Sequence, residues 1–241
     1  ANSYMLYLCG WEDDDGTLLA TNLSGKWETT LFVPDRDTTK EIWEGIRIGV
    51  DGAKSWPVDH TDSLQSLDSR IKELFSEVSI VFTIPGVSSS LDKFLDGMTE
   101  TQDLRKYIDP IRRIKSVNEI EYMQRSASIA SSAHEKAMRN SRPGMGEWEI
   151  QSEIEGHFLS SLCQWSFPSI VGGGDNATIL HYNKNNQFIK SGDLVLVDAG
   201  CEVNGYASDI TRTWPVNGKF SQPQKEIYEL VLRAELAGIE A

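Results

Sequence analysis

The run Leu194-Val195-Leu196-Val197-Asp198-Ala199 is the segment that most constrains the fold. Four consecutive aliphatic residues make a buried strand, and Asp198 puts a carboxylate at its end. An ionised group leaving a core is costly unless it is paired or bound to metal. Asn204-Gly205 follows, a strong signal for a two-residue hairpin turn. That turn pairs Val203 with Tyr206, and the same register carried outward sets Asp198 opposite Thr211. Successive side chains alternate between sheet faces, so Asp209, two residues from Thr211, shares the face of Asp198. The two lie on a diagonal, about 7–8 Å apart between backbones. Converging carboxylates are hard oxygen ligands that suit manganese or magnesium. The other readings are two exposed hairpin carboxylates, or an aspartate paired with Arg212, which parity puts on the opposite face.

The rest of the chain supplies an α/β frame for that hairpin. Gly16–Thr21 and Thr30–Val33 are strand-like, and Tyr4–Gly10 looks like the abrupt start of a further strand. From Asp62 to Val78, Leu64, Leu67, Ile71, Leu74, Phe75 and Val78 recur at three and four residues, which predicts an amphipathic helix. Ser79–Ile84 is predicted to be a buried strand stopped by Pro85-Gly86. Asp109-Pro110 predicts an extended or turn junction, because the residue before proline is biased away from the helical region. Ser116-Val117-Asn118-Glu119 is a capping box opening a long helix to about Arg139. A second helix is expected over about 147–162. A last one starts at Ser221, with Pro223 in its first turn. The expected domains are 1–109 and 110–241.

Composition excludes several functions. Lys plus Arg is 23 against 36 Asp plus Glu, a net charge of −13. No basic surplus exists to neutralise nucleic-acid phosphates or to seek anionic lipid. No apolar run approaches the roughly 18 residues of a membrane span. Cys9, Cys163 and Cys201 are odd in number with no C-x-x-C pair, which reads as three free thiols. The glycines at 172–174 lack the lysine and helix of a phosphate loop. His134 and His157 fall inside expected helices and read as structural. His181, in Leu180-His181-Tyr182, is either a packed histidine or a proton donor beside a site that needs one.

The residues Ile170 to Ala177, Leu180-His181-Tyr182, Leu194 to Gly200, Gly205 to Pro215 and Phe220 to Tyr228 together resemble the aminopeptidase P (X-Pro aminopeptidase) group of the pita-bread metallopeptidases. Thr30 to Pro34 and Trp43-Glu44-Gly45 are similar to that family's N-terminal domain. The resemblance implies an α/β N-terminal domain followed by an incomplete α+β pita-bread domain of the creatinase/aminopeptidase type. It implies two divalent metal ions, commonly Mn2+, and removal of the N-terminal residue of a peptide with proline second. By matching position, Asp198 and Asp209 are two of the five protein ligands, and His181 hydrogen-bonds the substrate and stabilises the tetrahedral intermediate.

The family's other ligands, one His and two Glu, come from later in the second domain. No histidine follows His181, and Glu226, Glu229, Glu235 and Glu240 match no family metal motif. The stretch is therefore expected to be the central part of a longer enzyme, and inactive by itself. Its partner is a peptide substrate, with no nucleic acid and no membrane. A homodimer is an option for the complete enzyme, and its expected compartment is mitochondrial or cytoplasmic. Two rivals remain: a non-catalytic pita-bread binding module, and a prolidase- or creatinase-like hydrolase.

Overall fold

A computed structural model describes residues 2–13, 15–74, 76–96 and 100–241. Contacts divide the chain into two compact units, Ala1–Ile114 and Lys115–Ala241. No described helix is long and apolar enough to cross a membrane.

The first unit begins with α1 (Ser3–Cys9). This segment was expected to be strand, but caps at both ends decide otherwise. Asn2 accepts the Tyr4 N–H at 2.8 Å, and Gly10, at φ 71°, returns its N–H to Leu6. β1 (Thr17–Thr21) runs antiparallel to β2 (Glu28–Val33). After α2 (Thr38–Glu44) and α3 (Gly49–Ala53), β3 (His60–Ser63) joins β2 in parallel. Trp11, Leu31, Val33 and Ala53 form the buried cluster beside this sheet.

Pairing of Phe32 with Asp62 claims residues that the apolar period assigned to a helix. α4 is consequently only Leu67–Leu74, after a 3-10 turn at Leu64–Ser66. Its Ile71 and Leu74 are buried as expected. Phe75, expected on the same face, lies outside the described residues. β4 (Ile80–Thr83) pairs in parallel with β5 (Glu100–Asp103), with α5 (Ser89–Leu95) between them. β4 is not buried: Ile80 and Phe82 are exposed while Val81 and Thr83 are half-buried, the alternation of a strand covered on one face.

Asp109-Pro110 does not make a turn. Both lie inside α6 (Arg105–Arg113). Side-chain contacts override the local bias here. Ile108 is buried, Asp109 accepts the Tyr4 hydroxyl at 2.9 Å, and the Arg112 guanidinium sits 4.5 Å from the Tyr4 ring centre.

The second unit starts at α7 (Val117–Asn140), whose Ser116–Glu119 capping box is present. The Ser116 cap is solvent-exposed. Ser116→Ala is expected to cost about 1 kcal/mol, the usual value of such a cap, read as a lower midpoint in thermal unfolding of the chain. α8 (Glu147–Ser160) packs on α7, with Ala130, Ala133 and Ala137 facing Ile150, Ile154 and Phe158 in one buried cluster. Small residues on α7 allow close approach. Strands β6 (Gln164–Trp165), β7 (Ile170–Gly173), β8 (Leu194–Ala199), β9 (Cys201–Val203), β10 (Tyr206–Ala207) and β11 (Ile210–Pro215) follow. They form two antiparallel sheets, β11-β8-β7 and β10-β9-β6. Val195, Val197 and Ala199 bury the inner face of β8 in the helix-facing core. The chain reaches α9 (Gln222–Glu240), opened by a Ser221–Gln224 capping box. All three cysteines are free and buried.

Candidate functional site

Tyr206 pairs with Val203 across the Asn204-Gly205 turn, and Thr211 pairs with Asp198 five residues further out. One register therefore runs through both sheets although the ladder breaks between them. The break is at Gly200 and Ser208. The Ser208 hydroxyl accepts the Cys201 N–H at 3.0 Å, and the Ser208 N–H reaches the Cys201 carbonyl at 2.8 Å. Asp209 follows this bend, just before β11.

Asp198 is half-buried on the face of β8 away from the helices. Burial raises its carboxyl above the ordinary carboxylate range. The Thr211 hydroxyl pulls it back, and the neighbouring Asp209 carboxylate raises it further. The Asp198 Oδ1 atom is buried with no hydrogen-bond partner. A buried oxygen without a donor, beside a second carboxylate, fits a divalent cation, which satisfies both charge and coordination at once. Arg212 turns away and donates to the Thr211 carbonyl at 2.7 Å. Among the described residues no group of three His, Cys, Asp or Glu side chains stands ready for a metal.

His181 is exposed rather than packed in the core. It lines a groove of about 760 Å³ with Asn176, Tyr182, Lys184, Phe188 and Asp193, and neither Asp198 nor Asp209 is among its walls. The hairpin thus brings the two aspartates together, while His181 belongs to a separate loop. That loop follows β7 and a 3-10 turn at Gly174–Thr178. Gly172 lets it fold back, since a Cβ there would lie 2.9 Å from the Ala177 nitrogen. Two buried polar side chains that the residue pattern did not single out hold it. Asn185, at φ 46°, accepts the Val171 N–H at 3.0 Å and donates to the Ser169 carbonyl at 2.8 Å. Glu147 is fully buried at the start of α8. Tyr182 donates to it at 2.7 Å, and burial together with that carboxylate keeps the phenol protonated. His134 is also buried. Its Nδ1 lies 2.9 Å from the Ala130 carbonyl, and burial lowers its pKa.

The two neighbouring carboxylates define a candidate divalent-cation site on a two-unit α/β chain, and comparison with known proteins supplies the class. The model of metallopeptidase family M24 matches residues 121–241, and that of the aminopeptidase P N-terminal domain matches residues 1–82. The chain belongs to metallopeptidase family M24, in its aminopeptidase P group. It is 39% identical to the Xaa-Pro aminopeptidase of Haemophilus influenzae over 99% of this chain and 57% of that protein. It is 37% identical to the mitochondrial intermediate cleaving peptidase 55 of Arabidopsis thaliana, over 95% of this chain and 47% of that one. The zinc-substituted Escherichia coli aminopeptidase P in complex with product superposes with a TM-score of 0.91 at 35% identity, over 96% of this chain and 57% of that one. The chain therefore spans about half the length of the relatives it matches.

Proposed function

We propose that this chain carries part of the catalytic unit of a metal-dependent aminopeptidase that removes the N-terminal residue from peptides with proline second. The observation that carries this reading is the buried, partnerless Oδ1 of Asp198 next to Asp209, within the M24 match. The names of the relatives favour it over a binding module or a prolidase-type hydrolase. A mitochondrial or cytoplasmic placement goes with it, the Arabidopsis relative being named mitochondrial.

In this reading Asp198 and Asp209 would supply two of the ligands for a pair of divalent cations, manganese by preference. Such cations acidify water and neutralise developing negative charge. The two carboxylates supply the negative field that attracts them, and core packing of Val195 and Val197 fixes the strand they stand on. His181 lies on a solvent-open groove of about 760 Å³. Its imidazole donates a hydrogen bond to the substrate and to the oxyanion that forms from the scissile carbonyl. The bond before proline has no N–H, so recognition falls to the free amine and the pyrrolidine ring.

Two carboxylates leave most coordination positions to water. The 241 residues alone are therefore expected to bind Mn2+ weakly and not to cleave an X-Pro peptide, checked by calorimetric titration and a peptide assay. Robust metal-dependent turnover would show that the ligands come from elsewhere in this chain. In enzyme with its metal site completed, His181→Ala is expected to lower kcat about 100-fold or more with metal content unchanged. An unchanged kcat rejects the role of His181.

A further inference from the structure

Glu147 is a fully buried carboxylate whose partners are all donors from one neighbourhood. Its Oε1 accepts the Gly173 N–H at 2.9 Å and the Asn176 amide at 2.9 Å. Its Oε2 accepts the Tyr182 hydroxyl at 2.7 Å and the Gln187 N–H at 2.9 Å. Asn176 also donates to the Tyr182 oxygen at 3.0 Å. The carboxylate thus reaches away from its own helix and gathers the end of β7, the 3-10 turn and both flanks of the segment that carries His181. Between Asn176 and Tyr182 the backbone is held only by local turns, Ile179 to Asn176 at 3.1 Å and Tyr182 to Ile179 at 3.3 Å. The downstream flank has further ties to α8, from the Glu147 backbone N–H to the Gln187 carbonyl at 3.0 Å and from the Asn185 amide to Gln151 at 2.9 Å. Among the described hydrogen bonds the upstream flank, Gly173 and Asn176, reaches α8 through the Glu147 carboxylate alone.

We propose that Glu147 is a positioning residue that locks the His181 loop, residues 174–188, in its working conformation. This rests on the reading of His181 given above. The lock depends on the charge type as well as the shape. Each oxygen of Glu147 accepts one backbone N–H, from Gly173 or from Gln187. A glutamine of the same shape must place its NH2 against one of those N–H groups in either orientation. Tyr182 can rotate its hydroxyl to accept, but a backbone amide cannot.

The test uses the full 241-residue chain and two readouts, hydrogen exchange by mass spectrometry and the Cε1–H resonance of His181, assigned by its loss in His181→Ala. In Glu147→Gln, amides of 174–188 are expected to exchange about tenfold faster or more, while the β8 peptide stays near the parent rate. The His181 resonance is expected to move toward the position of free histidine. Tyr182→Phe, which removes one donor of the four, is expected to shift both readouts the same way by less. Should Glu147→Gln not fold, Tyr182→Phe decides alone. Unchanged exchange at 174–188, equal acceleration at 174–188 and in β8, or an unmoved His181 resonance would each overturn the proposal. Loss of turnover in His181→Ala is a separate measurement, so failure of the catalytic reading and failure of the lock are distinguishable.

Discussion

Gly200→Ala is expected to destabilise the chain by about 3 kcal/mol or more, at the upper end for overpacked sites. A Cβ at Gly200 would stand 1.8 Å from the Ser208 carbonyl oxygen, 2.5 Å from its carbon and 2.9 Å from the Ser166 hydroxyl. Two of those atoms are backbone and cannot swing aside. The Ser208 carbonyl is itself bonded to the Ser166 hydroxyl at 2.9 Å, and the Ser208 N–H and hydroxyl are bonded to Cys201. Relief therefore requires opening the bend between β8 and β9. That bend sets the spacing of Asp198 and Asp209, so Mn2+ binding should fall with stability. Thermal unfolding should show a midpoint lower by roughly 6–12 °C. An unshifted midpoint would mean that the hairpin yields there and is no rigid base for the two carboxylates.

Asp198→Asn should separate stability from metal binding. Burial and the Asp209 carboxylate both disfavour the charged form of Asp198, and the Thr211 hydrogen bond only partly opposes them. A carboxyl with a raised folded pKa contributes stability below its unfolded pKa, and loses that contribution as pH rises through the folded value. At neutral pH the metal-free chain carries that cost, and an amide of the same shape removes it. Unfolding with chelator present should show a midpoint higher by roughly 2–4 °C. The gain should vanish in acid below the ordinary carboxylate pKa. The same substitution removes half of the available charge, so affinity for Mn2+ should drop by about tenfold or more. A destabilised metal-free variant would show that Asp198 is held by hydrogen bonds rather than kept for a cation.

Much of the candidate site was legible because it depends on local rules. Asn204-Gly205 fixes a turn and the turn fixes a register, which sets Asp198 opposite Thr211 with Asp209 as its neighbour just before β11. The Ser116 and Ser221 capping boxes lie where their residues demand them. Tyr4–Gly10 became helix through its own two caps, a local signal that was missed. The other errors fell where one segment's conformation depended on another: residues 62–63 were taken into a parallel strand, and Pro110 stayed helical while its neighbours packed on Tyr4.

By itself the sequence determined the hairpin, its paired carboxylates, the helix starts and the family resemblance, because each rests on neighbours in the chain or on residues at set spacing. Only the tertiary structure decided that His181 is exposed on the wall of a groove rather than packed in the core. It also decided that Glu147, which reads as an ordinary acidic helix start, is buried under four donors. The burial of a side chain and the direction of its partners are set by segments 26 to 40 residues away. No local pattern carries that information, because a carboxylate in the first turn is equally favourable facing water or facing a loop.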